Sequence, residues 1–146
     1  MPTAARMVAG VLFAALAWVV SQLILPQFPE GFDPGLFAEV NAAIGFLSGW
    51  VVAGSRARTT WSGAVSYGLT AMVALVFWGL FLHSFWQMIE KSLDRIYDGP
   101  ADALVDVFQL MFENALLMAV QPVLLALVLG SILAGLVTEV VGRNWR

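Results

Sequence analysis

The side chains best able to do chemistry lie between residues 83 and 113. His83, Gln87, Glu90 and Asp94 recur at i, i+4, i+7 and i+11, so on a helix they form one stripe. Asp102, Asp106, Gln109 and Glu113 follow at spacings of four, three and four and form a second stripe. An imidazole beside carboxylates can hold a divalent cation or pass protons. His83, Glu90, Asp102, Asp106 and Glu113 are therefore the candidate cation-site residues. Their spacing matches no defined metal-ligand pattern, and a polar stripe at a helix edge is most simply a face turned to water. The solvated face is the expected reading, and no metal site is assigned.

Other chemistries are excluded by what the chain contains. It has one histidine and no cysteine, which removes bis-histidine haem, thiolate metal sites, iron–sulfur clusters and thiol redox chemistry. Ser48, in GFLSGW, and His83 could in principle pair as nucleophile and base. The serine lacks the tight Gly-x-Ser-Gly turn, and the two residues fall at different depths of their helices. No glycine-rich dinucleotide loop is present. No catalytic residue and no cofactor is assigned, and the chain is expected not to be an enzyme.

The elements carrying these residues follow from composition. The chain is 60% hydrophobic and 12% charged, whereas soluble domains carry about 25% charged residues. Too little polar surface remains to face water, so this is an integral membrane protein. A span needs about 20 mostly apolar residues, and four runs qualify, at about 7–25, 36–54, 64–88 and 122–141. Between the last two, DGPADALVDVFQLMFENALLMAV reads as an amphipathic helix over about 100–120. Asp98 or Gly99 would cap it, Pro100 suits its first turn, and Asp102 favours the positive end of its dipole. The fold expected is a single all-α membrane domain over residues 1–146. It has four transmembrane helices and one amphipathic interfacial helix before the last span.

Small residues recur along two of the spans. Gly45, Gly49 and Ala53 form one row; Gly130 with Ala134, and Ser131 with Gly135, form others. Such rows let helix backbones approach closely in lipid, and they are read as helix-packing residues. The sharper reading of the same rows is self-association. No Asp, Glu, Lys or Arg lies near the centre of any span, which argues against proton-coupled transport by this chain alone.

Arg6, Arg56, Arg58, Arg143 and Arg146 fall on one side of the membrane, and Lys91 and Arg95 on the other. The positive-inside rule then puts both termini in the cytoplasm. The net charge of −3 argues against nucleic acid as a partner. The expected partners are the lipid bilayer and a second copy or another membrane protein.

MPTAARMVA at the start, GWVVAGSRA after the second span, VFWGLFLHSFWQMIEKSLDRIYDGP and the terminal RNWR resemble the TrgA family of tellurite-resistance-associated membrane proteins. The likeness runs along nearly the whole chain. It implies a small bacterial inner-membrane protein linked to tellurite tolerance, and brings no catalytic residues with it. Without thiols or a dinucleotide site, direct reduction of tellurite is not expected. The expected role is an accessory or interaction subunit in oxyanion stress. The alternative is an oligomeric oxyanion or metal-ion transporter or channel, whose water-filled path would be lined by Asn41, Ser48, Thr70 and Thr138.

Overall fold

A computed structural model describes residues 3–31, 33–94 and 97–145. Arg95 and Arg146, both used in the charge count above, lie outside the described residues. The described chain is all-helical: α1 Thr3–Ile24, α2 Phe37–Ser48, α3 Trp61–Leu93, α4 Pro100–Met118 and α5 Gln121–Asn144. A 3-10 turn, Leu25–Gln27, extends α1, and a π turn at Gly49–Ala53 followed by a 3-10 turn at Gly54–Arg56 extends α2. Four segments are long and apolar enough to cross a membrane: Ala4–Gln27, Phe37–Arg56, Trp61–Leu93 and Gln121–Asn144.

Local chemistry sets the helix ends. Pro26 sits in the turn that closes α1, and Pro100 and Pro122 occupy first turns, where the missing N–H has no intrahelical partner to lose. Thr60 caps α3, its hydroxyl accepting from the Gly63 N–H at 3.0 Å. Gly99 precedes α4 in extended backbone without a side-chain cap.

Two seams of small residues hold the bundle together. A Cβ at Gly45 would collide with the Phe13 carbonyl oxygen, and one at Gly49 with that of Ala9. Ala53 is fully buried in the same row. These contacts press α2 onto α1. In the second seam a Cβ at Gly135 would strike the Ala64 carbonyl and one at Gly68 that of Ser131, which joins α5 to α3. Ala134 lies buried beside it, and Gly130 abuts the Leu16 side chain on α1. The core along these seams is rich in alanine, with Phe13, Tyr67 and Leu75 as its larger members. Close van der Waals packing replaces the hydrophobic driving force that lipid removes. Leu47, Val73 and Leu133 are about 60% exposed, as suits side chains whose solvent is hydrocarbon.

At 33 residues, α3 is roughly 50 Å long, well beyond the ~30 Å hydrocarbon core. Its last turns overhang the bundle, and α4 folds back antiparallel along them. Lys91 Nζ meets the Asp106 carboxylate at 3.0 Å. Asn114, further along α4, donates to Ser84 and Gln87, earlier on α3, at 3.1 Å each. Val107 and Leu110 are buried against α3, while Leu104, Phe108, Phe112 and Leu116 form an exposed apolar row.

Candidate functional site

The alternation of spans sorts charge to opposite ends. Glu30, Asp33, Glu39, Glu90, Asp94, Asp98, Asp102, Asp106 and Glu113 all lie at the end bearing the α1–α2 loop and α4. Lys91 is the one basic side chain there among the described residues. Arg6, Arg56, Arg58 and Arg143 lie at the opposite end with Glu139, the tenth acidic residue of the chain.

A cleft of about 840 Å³ opens at the acidic end among α1, α2, α3 and α4, with Leu127 of α5 also in its wall. Its walls are largely apolar, with Val20, Ile24, Phe37, Leu75, Val76 and Leu127 among them. Three polar side chains cross it as a rung. His83 Nε2 lies 2.9 Å from Asn41 Oδ1, Asn41 Nδ2 donates to Ser21 Oγ at 2.9 Å, and Ser21 donates to the Ala17 carbonyl at 2.7 Å. An amide oxygen only accepts, so His83 donates through Nε2 and keeps Nδ1 as an acceptor. The imidazole is held against Phe37, ring centroids 4.6 Å apart. The rung ties α3 to α2 and α2 to α1 where glycine seams give way to the cavity.

The rim carries Asp33 and Glu90, each oriented by a local bond. Gly35 N–H donates to Asp33 Oδ1 at 3.0 Å, and Trp86 Nε1 donates to Glu90 Oε1 at 2.9 Å. Pockets of about 300–1,000 Å³ with apolar walls and a few convergent polar groups are the usual form of a ligand site. This cleft has that form.

The cation-site candidates are not drawn to one point. His83 bonds Asn41, and Glu90 bonds Trp86. Asp106 is engaged by Lys91 and by the Tyr97 hydroxyl. Asp102 and Glu113 are exposed on α4. No group of three or more potential ligands that could hold a metal ion forms among the described residues. Asp106 is held below the usual carboxylate range, chiefly by the Tyr97 hydroxyl and then by Lys91. Partial desolvation and the Asp106 carboxylate push the Tyr97 phenol up to about 12.

The four residues suggested for a water-filled path are also separated. Asn41 lines the cleft, whereas Thr70 is exposed and bonds the Ser66 carbonyl. Ser48 is buried, and Thr138 is buried with its hydroxyl on the Ala134 carbonyl. Of the four, Asn41 alone lines this cleft.

The arginine end holds a cluster that the sequence reading passed over. Glu139 is fully buried. It accepts from the Arg58 backbone N–H at 2.9 Å and from Arg143 Nε at 2.8 Å, with the Tyr67 hydroxyl at 3.0 Å. Arg143 also donates to the Thr59 carbonyl at 2.6 Å and stands 4.5 Å over the Trp61 ring. Arg58 donates to the Gly142 carbonyl at 2.6 Å. Its backbone is left-handed, φ 74°, a conformation that non-glycine residues rarely adopt and that the Glu139 bond holds in place. The cluster clamps the α2–α3 loop to the last turns of α5. Its sequence signal was the Glu139–Arg143 pair at i, i+4.

No protein-family model, no curated protein and no solved structure matches this chain.

Proposed function

We propose that the chain is a non-enzymatic, multi-pass protein of the bacterial inner membrane, acting as an accessory or interaction subunit in tolerance to tellurite and related oxyanions. The resemblance carried by MPTAARMVA, GWVVAGSRA and the FWGLF…YDGP segment supplies the biological setting. The observation that carries the accessory role is the cleft, which is confined to the acidic end. Its lining includes neither Ser48, Thr138 nor Glu139. A cleft whose lining stops short of the arginine end favours binding over conduction. Its rim is acidic, and carboxylates repel an oxyanion.

In this reading the acidic end faces the periplasm and both termini lie in the cytoplasm, as the arginines at the other end favour. The amphipathic α4 lies at the outer surface. Leu104, Phe108, Phe112 and Leu116 enter the headgroup zone, and Asp102, Gln109 and Glu113 face water.

Tellurium accumulation in cells, with the gene deleted and then restored at sublethal tellurite, tests this. The proposal expects unchanged initial uptake and efflux with altered survival. A flux change reversed by restoration would replace it with the oligomeric transporter, its path between protomers.

A further inference from the structure

We infer that the cleft at the acidic end binds a cationic amphiphile, a single aliphatic chain bearing an ammonium head. The inference rests on the cleft being the working site of the protein, and it names the chemistry of what that site takes.

The lining selects the tail. The cavity walls are mostly apolar, with Val20, Ile24, Leu75, Val76 and Leu127 among them. Gly79 lies in its wall, where a Cβ would stand 3.5 Å from Asn41 Oδ1 and meet nothing else within 4 Å.

Hydrogen-bonding capacity selects the head. The donors lining the cleft are largely committed within the protein: His83 Nε2 to Asn41, Asn41 Nδ2 to Ser21, Asn114 Nδ2 to Ser84 and Gln87, and Trp86 Nε1 to Glu90. The charged groups at the rim, Asp33 and Glu90, are acceptors, and the rung leaves His83 with an acceptor nitrogen. Among the described residues, the cleft lining contains no lysine or arginine. A head rich in N–H donors and positively charged complements that set, and an anionic head opposes it. The Trp86 ring beside Glu90 adds an aromatic face of the kind that attracts ammonium groups.

The same charge argues against a second copy as occupant. Two such ends, each with nine carboxylates and little compensating base, would be brought face to face.

The test uses the full chain in phosphatidylcholine nanodiscs, with empty nanodiscs subtracted and radiolabelled decylammonium and decyl sulfate as probes. Decylammonium is expected to bind saturably and decyl sulfate not to saturate. Asp33→Asn with Glu90→Gln should weaken decylammonium about fivefold, in line with two exposed ion pairs. Asp102→Asn with Glu113→Gln, which alters exposed charge outside the cleft, should leave binding unchanged. Gly79→Leu should abolish binding by filling the cavity, with Gly79→Ala as a folding control that retains it. Equal binding of decyl sulfate, no saturable binding, or equal losses in the two double variants would overturn the inference. So would dispersal of a wild-type dimer by Gly79→Leu, which would assign the cleft to a second copy. These outcomes are independent of tellurium flux. Failed binding with unchanged flux leaves the accessory role standing, and altered flux with intact binding removes that role alone.

Discussion

Tyr67 and Glu139, 72 positions apart in the chain, meet at 3.0 Å inside the arginine end of the bundle. The phenol hydroxyl also lies 3.0 Å from the Gly135 carbonyl, on the turn of α5 just before Glu139. One aromatic side chain thus fixes both the carboxylate and the helix that carries it. In a low-dielectric setting a carboxylate persists only with its acceptor sites filled, and here a phenol, a backbone N–H and a guanidinium fill them.

Removing members of this cluster should give graded losses. Tyr67→Phe removes one donor and leaves Glu139 its backbone and guanidinium donors, and should cost about 1 kcal/mol. Glu139→Ala strands the Arg58 N–H, unpairs Arg143 and should cost about 2–3 kcal/mol. Thermal unfolding in detergent measures both. Equal losses would mean that the hydroxyl, not the carboxylate, organises the cluster.

The glycine seams make a steric prediction. Gly49→Ala and Gly135→Ala each drive a methyl into a backbone carbonyl of the facing helix, and should lower stability by about 1–3 kcal/mol. Gly99→Ala meets nothing within 4 Å and has extended backbone, so it should lose only the N-cap preference for glycine and cost less than either seam variant. Gly31→Ala has equal space but a φ of +84°, and should lose about 1 kcal/mol to backbone strain alone. Thermal midpoints of the four variants separate close packing from backbone strain.

The attachment of α4 to α3 should depend on pH at both extremes. Asp106 is depressed in the folded state, so its contribution is present above the ordinary carboxylate range and is lost as pH falls through its lowered value. Tyr97 is raised to about 12, so its contribution is present below the ordinary phenol value and is lost as pH climbs toward about 12. Spin labels at Ser92 and Gln109, both exposed, should report a narrow distance distribution near neutrality that broadens in strong acid and strong base. Asp106→Asn should remove the acid limb. A distribution indifferent to pH would contradict the pairing.

What was legible in the sequence was whatever a single helix displays. Four helices that can cross a membrane follow from apolar runs, and Pro100 announces the start of α4. Hydropathy reads the bilayer rather than the helix, however. α3 therefore continues past Met88 to Leu93, because Glu90 and Lys91 leave the apolar pattern without breaking the helix. Relations between helices were not legible. His83 and Asn41 are 42 positions apart, and nothing in either neighbourhood announces their pairing. The stripes on α3 and α4 were expected as solvated faces, and a face does not reveal its partner: His83 pairs with Asn41 and Gln87 with Asn114. Asp106 turned to Lys91 and Tyr97, while Asp102 and Glu113 stayed outside. Glu139 lies near a helix end, where sequence alone gives no sign of burial, and its burial comes from Tyr67 and the Arg58 loop, both distant in sequence.

The account turns on which end of the bundle faces outward, because the cleft and its acidic rim can meet an external ligand only from there. The chain has no cysteine, so single cysteines at the exposed positions Asp102 and Asn144 can be probed in intact cells with a membrane-impermeant maleimide. The account predicts labelling of Asp102→Cys without permeabilisation and of Asn144→Cys only after it. The reverse pattern would put the cleft in the cytoplasm and contradict the account.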